Sequence, residues 1–351
     1  MNLATRYMGL ELKNPLVASA SPLTAELGNI RQLEDSGAAA IVLPSIFEEQ
    51  IEAEAQRYDY LTGAGSDSSP EALSYFPQSA KYRVEPDHYL DLVDRAVEAV
   101  AIPIIASLNA TTDQAWIEYA KEIEGAGAKG IELNVYFIPS DLCLTGREVE
   151  QRYLDILCAV RAAVEIPIAL KLSPYFSAVG HMMKEFDRAG AAALVLFNRF
   201  YQPDIDLAQL QLRKDLQLSE RNEIRVPLLW IALLSGRIGA SLAASSGVES
   251  SEEVLKYLLA GADVVMTTSA LLRHGVQYME SLLTGLESWL SARDIDSLDQ
   301  IRGALSRNRL HTPDIFERAN YIKSWKDGSR NKAGRDRRQR QDDNGTGQGF
   351  R

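Results

Sequence analysis

Eight short apolar runs recur along the chain, and most are followed by a stretch whose apolar residues keep the spacing of a helix. They lie at 14–21 (NPLVASAS), 38–45 (AAAIVLPS), 102–109 (IPIIASLN), 130–136 (GIELNVY), 166–174 (IPIALKLSP), 191–198 (AAALVLFN), 241–247 (SLAASSG) and 262–269 (ADVVMTTS). Helical patterns fill 28–37, 89–100, 113–128, 146–164, 179–190, 251–261 and 276–292, and 227–238 is apolar enough all round to be a buried helix. Strands apolar on both faces belong in a parallel sheet covered by helices. Eight of them predict an α/β fold, a (β/α)8 TIM barrel forming one domain over residues 1–325. Glycine-containing joints at 124–130, 187–191 and 259–262 support this, since each ends a helix before the next strand. An open doubly wound sheet is the alternative. No Gly-x-Gly-x-x-Gly follows the first run to favour it.

Three segments break the rhythm. Residues 47–87 are polar and rich in Gly and Ser, a length that compact domains keep for lids and binding loops. Residues 199–225 read as an excursion over the barrel mouth. The end of the chain, 326–351, is almost devoid of apolar residues and is expected to be a disordered polar tail, whereas 315–325 packs on the body.

Composition narrows the class. The 351 residues are 46% hydrophobic and 24% charged, with a net charge of −11, which speaks against nucleic acid as a partner. The two cysteines, Cys143 and Cys158, form no disulfide framework and no iron–sulfur motif and suit a reducing compartment. Residues 1–13 lack the pattern of a signal peptide, and no apolar run approaches the roughly 20 residues of a membrane span. The expectation is a cytoplasmic protein, away from membranes, that acts on a small-molecule substrate.

Barrel enzymes work at the C-terminal ends of their strands. Here those ends carry Ala20, Ser21, Ser45, Ser107, Asn109, Asn134, Lys171, Asn198, Ser245 to Gly247 and Thr267 to Ser269. This ring of hydroxyls and amides holds one cation and no His, Asp or Glu, so neither a metal site nor a carboxylate pair is expected. His88, His181, His274 and His311 fall elsewhere and read as surface or cap residues. Ser246, Gly247, Thr268 and Ser269 end the last two strands, where barrels commonly bind phosphate, although Ser250 and Ser251 also suit a plain helix cap. Lys171 is the sharpest signal. A lysine within a barrel strand must reach the mouth or be held by an anion. It suits a Schiff-base nucleophile or a cation beside an electron-rich ring, with a structural, snorkelling lysine as the bland reading.

Read in order, Asn14-Pro15-x-x-x-Ser19-Ala20, Glu132-Leu133-Asn134, Leu170-Lys171-Leu172-Ser173-Pro174-Tyr175-Phe176, Asn198, Ser246-Gly247-Val248, Gly261-Ala262-Asp263 and Ser269-Ala270-Leu271 resemble the dihydroorotate dehydrogenase family, above all its soluble class 1 branch. The resemblance spans Asn14 to about Leu272 and implies an FMN-dependent oxidoreductase of CH–CH bonds, dihydroorotate to orotate in pyrimidine biosynthesis, and a homodimer. It implies FMN contacts from Ala20, Ser21, Ser45, Asn109 and Asn134, Lys171 at the N1/O2 side of the ring, and a phosphate on Ser246, Gly247, Thr268 and Ser269. Asn134 and Asn198 would meet the substrate. The chain also departs from the family. Phe137 stands where the catalytic Cys or Ser is expected, and Phe cannot take a proton. Pro44-Ser45 replaces Lys-Ser, 72–77 (ALSYFP) lacks the family's Asn-rich loop, and Ser246 and Thr268 replace glycines. Ser140, Cys143 and Tyr136 are the substitutes within reach of the missing base. Three other readings stay open: FMN chemistry on another, more apolar substrate; a non-catalytic flavin-binding barrel; and a phosphosugar lyase using Lys171. The electron acceptor is open between fumarate, oxygen and a reductase.

Overall fold

The computed structural model describes residues 1–47, 86–110, 112–199, 202–213 and 217–310. In chain order the strands are β1 (Thr5–Tyr7), β2 (Leu10–Leu12), β3 (Leu16–Ala18), β4 (Ala40–Phe47), β5 (Ile104–Asn109), β6 (Gly130–Asn134), β7 (Ile168–Leu172), β8 (Ala193–Leu196), β9 (Asp204–Asp206), β10 (Gln211–Arg213), β11 (Ser241–Ala244) and β12 (Val264–Thr267). The helices are α1 (Leu27–Asp35), α2 (Pro86–Ala99), α3 (Asp113–Gly125), α4 (Gly146–Ala163), α5 (Val179–Ala189), α6 (Arg225–Leu234), α7 (Ser251–Ala260), α8 (Ser269–His274) and α9 (Tyr278–Ser291).

Eight of these strands close a parallel barrel in the order β11-β12-β3-β4-β5-β6-β7-β8. Each of the eight apolar runs marks one barrel strand; seven strands lie within their runs, and β4 extends two residues past its run to Phe47. The run 130–136 pairs only as far as Asn134, and 241–247 only as far as Ala244. Past Ala244 the chain bends out of the ladder, with Ser246 at φ 76° and Gly247 at φ 71°.

Strand alternation sorts the apolar side chains into two layers. Val17, Val42, Ile105, Ala169, Val195, Ala243 and Met266 point to the barrel axis and form one cluster. Leu16, Ile41, Leu133, Leu170 and Leu242 point outward and pack with helix residues such as Trp116, Phe186, Tyr257 and Leu286. The helices begin and end on local signals. Thr145 and Glu148 form a capping box ahead of α4, as do Ser250 and Glu253 ahead of α7. Gly190 and Gly261, both left-handed, close α5 and α7.

Residues 1–13 show no element in the hydrophobic pattern, yet they form the antiparallel hairpin β1–β2 that plugs the barrel floor. Tyr7, Met8 and Leu12 join the axial cluster, Met8 N–H donates to Ser241 Oγ, and Thr5 Oγ1 donates to the Asp263 carbonyl. Strands of three residues leave too few alternations to be seen as a pattern. A second small hairpin, β9–β10, lies within the excursion after β8. No helix among the described residues is long and apolar enough to cross a membrane. The lid segment between Phe47 and Pro86, and everything after Leu310, including the expected tail at 326–351, lie outside the described residues.

Candidate active site at the barrel mouth

A cavity of about 390 Å³ opens at the C-terminal ends of the barrel strands. Its wall includes Ala20, Ser21, Lys171, Asn198, Ser246, Thr268 and Ser269 from the expected ring, and Tyr136. Asn134 and Gly247 stand one hydrogen bond behind that wall, and Ser45 one bond behind Asn134. Asn109 is buried at the end of β5, opposite Phe47.

Side chains from four strands are linked in a row across one side of the mouth. Asn198 Nδ2 donates to Asn134 Oδ1 at 2.7 Å, and Asn134 Nδ2 donates to Ser45 Oγ at 3.2 Å. The hydroxyls of Ser45 and Ser107 are 2.6 Å apart. A register shift between Val42 and Ser45, spanning Pro44, brings Ser45 level with Ser107. Proline cannot donate to the ladder, so a bulge there is the natural accommodation. The chain of bonds fixes how the two amides are turned and anchors them to the strands.

Lys171 is both at the mouth and held by an anion. Its ammonium lies 3.0 Å from Glu132 Oε1, with the lysine 7% and the glutamate 0% exposed. The anion comes from below the ring of mouth residues, where Glu132 is level with Ala169. Glu132 was missed because it sits inside the apolar run 130–136, and nothing local marks it as the partner of a residue 39 positions later.

The other side of the mouth, at the ends of β11 and β12, closes around Ser219. Gly247 N–H donates to Ser219 Oγ at 3.2 Å, and Ser219 meets Ser269 Oγ through its hydroxyl (2.9 Å) and its backbone N–H (3.1 Å). Ser246 Oγ donates to the Phe197 carbonyl, and Thr268 Oγ1 donates to the Ser19 carbonyl. The expected phosphate-binding residues are therefore together, but in contact with a serine from the excursion that the sequence reading did not single out. Arg273 bonds the Ser219 carbonyl and pairs with Glu249, and Arg199 pairs with Glu223, which holds this segment over the cavity. Gly247 cannot be replaced cheaply. It is left-handed, and a Cβ there would lie 2.7 Å from Ile224 N.

The loop after β6 carries the proposed substitutes for a base. Tyr136 lines the cavity, while Ser140 and Cys143 are exposed and stand outside its wall. Phe137 is half-buried, with the Arg152 guanidinium 4.7 Å from its ring centre. Behind this loop the Tyr153 hydroxyl donates to the Val135 carbonyl, and burial pushes its pKa up to about 12.

Fold and site together define a (β/α)8 barrel whose mouth combines a buried lysine–carboxylate pair with hydroxyls and amides. Comparisons with known proteins show what the chain is similar to. The chain is 25% identical over 308 residues to the catalytic subunit of dihydroorotate dehydrogenase B (NAD(+)) of Methanothermobacter thermautotrophicus, covering 86% of this chain and 97% of that one. It is 24% identical over 343 residues to the NAD-dependent dihydropyrimidine dehydrogenase subunit PreA of Escherichia coli, covering 90% and 79%. A dihydroorotate dehydrogenase B catalytic subunit of Thermoplasma acidophilum matches at 21% over 316 residues, 87% of this chain and 99% of that one. No family model matches. The chain is a divergent, dihydroorotate dehydrogenase-like protein.

Proposed function

We propose that the protein is an FMN-dependent oxidoreductase that acts on a CH–CH bond of a dihydropyrimidine-like ring. The single observation that carries this reading is Lys171. It is a nearly buried cation that lines the mouth cavity of a barrel whose relatives are named dehydrogenases of dihydroorotate and dihydropyrimidine. When bound, FMN would supply a hydride acceptor.

The donor set fits such a group. A cation at the cavity floor suits the ring edge that becomes electron-rich on reduction, and the lysine provides it. Ser246, Thr268 and Ser269, with the Gly247 N–H close behind, form the hydroxyl- and amide-rich end that suits a phosphate. A phosphate oxygen would join or replace the Ser219 hydroxyl there. Ala20 and Ser21 make the wall between these two ends, and Asn198, steadied by Asn134 and Ser45, is the polar contact for a substrate.

Dihydroorotate itself fits less well, because the base position is Phe137 and the strand-two lysine is Pro44. A missing general base typically costs about two to four powers of ten in rate. Tyr136 is the proton-bearing candidate in the cavity wall, ahead of the exposed Ser140 and Cys143. The lyase reading has less support, since Lys171 Nζ is already engaged by Glu132 at 3.0 Å. A homodimer and a cytoplasmic location go with the family reading.

The deciding measurement is the visible spectrum of purified protein reconstituted with FMN, followed by anaerobic mixing with dihydroorotate and with dihydrouracil. The expected result is a flavin band that bleaches with one of the two. Bleaching by neither leaves the non-catalytic flavin barrel as the better account. A colourless protein whose Lys171 is trapped by borohydride with a carbonyl substrate would overturn the proposal.

A further inference from the structure

Glu132 is a buried carboxylate that the proposed chemistry does not use. Its place follows from strand alternation. Asn134 faces the mouth, so Glu132, two residues earlier on β6, faces the barrel axis one level deeper. In the ladder Asn134 is level with Lys171, and Glu132 is level with Ala169. The lysine stem therefore starts at the mouth level, and its ammonium bonds to a carboxylate from the level below. Glu132 is 0% exposed and its Oε2 has no hydrogen-bond partner. Such a charge is tolerated inside a barrel only beside a counter-charge, and Lys171 is the cation in contact with it. Beneath it the Tyr7 hydroxyl is likewise without a partner. Burial, then the charge of Glu132, then that of Asp263 push this phenol well above its usual pKa, so the carboxylate is felt down to the floor of the barrel.

We propose that Glu132 is a positioning residue: its carboxylate holds the Lys171 ammonium at the base of the mouth and offsets its charge, so that the occupant of the cavity meets a partly neutralised cation. The part concerning the occupant rests on the flavin reading above. Removing the carboxylate charge while keeping its shape, as in Glu132→Gln, would leave the same lysine presenting a full positive charge.

The reversible addition of sulfite to oxidised flavin bleaches the visible band and is favoured by positive charge beside the ring, so sulfite is the probe. In FMN-loaded protein Glu132→Gln should tighten sulfite binding about tenfold. Lys171→Met should weaken it, and adding Glu132→Gln to Lys171→Met should then change nothing. Equal constants for wild type and Glu132→Gln would overturn the inference, as would a shift that persists without the lysine. Flavin-free protein provides an independent arm. Glu132→Gln strands the ammonium and should lower Tm by about 5 °C, and Lys171→Met on top of it should restore much of that loss. A loss unaffected by Lys171→Met would also overturn the inference. A chain that takes up no flavin refutes the flavin reading, and the unfolding cycle then decides the pairing by itself.

Discussion

The two sides of the barrel mouth are built differently. From β4 to β8 the polar groups stand on the barrel strands or just past their ends and are bonded to one another across the mouth, with a buried ion pair beneath them. At β11 and β12 the strands stop early, and the polar groups close on Ser219, which arrives from an excursion held by surface ion pairs. The first side is set by barrel registry and is rigid and costly to disturb. The second is set by a segment that can yield to a ligand, because the net worth of each hydroxyl hydrogen bond is only about 1 kcal/mol. On the flavin proposal, a site that binds and orients its cofactor benefits from having both.

Lys171→Ala should have the largest effect, since it leaves Glu132 buried and unpaired. We expect a stability loss of about 3–5 kcal/mol in denaturant unfolding and loss of flavin retention or a lower flavin reduction potential. An unchanged stability and potential would remove the contrast between the two sides.

Tyr153→Phe tests the support behind β6 through pH. The phenol is neutral in the fold, with a pKa of about 12 against 10.0 for the free group. Between those values the native state holds the proton that the unfolded chain releases, so stability falls as pH rises from 10 toward 12. The full loss is about 2.7 kcal/mol. Unfolding at pH 9 and pH 11 should show this fall in wild type and a shallower one in the variant.

On the other side, Gly247→Ala forces a Cβ against the Ile224 backbone at a left-handed position. It should cost roughly 1–3 kcal/mol and abolish FMN uptake, while the Lys171–Glu132 pair stays intact. Ser219→Ala should be mildest, near 1 kcal/mol in stability, and its sign on FMN affinity discriminates. Tighter binding means the serine competes with phosphate, and weaker binding means it donates to it.

Much of this was legible in the chain, for reasons that can be named. Strands buried on both faces read as continuous apolar runs, so 166–174 and 191–198 announced β7 and β8, and a lysine in such a run could not be an ordinary surface residue. The hairpin β1–β2 escaped because three-residue strands show no period. Ser219 escaped because a lone serine in a polar segment carries no signal, and its contact with Gly247 spans 28 residues.

The stretch 130–139 illustrates the division. By itself it indicated a strand over 130–136 carrying Asn134 near its end, and the family resemblance marked Phe137 as standing where a base is expected. The local sequence alone specified the barrel, the polar ring and a lysine within a barrel strand, because apolar periodicity and turn residues act over a few neighbours. Only the tertiary structure decided that Glu132 meets Lys171, that Ser45 supports Asn134, and that Ser219 closes on the expected phosphate end. Those pairings come from barrel closure and strand registry, which bring together side chains far apart in sequence and place charges where water cannot screen them.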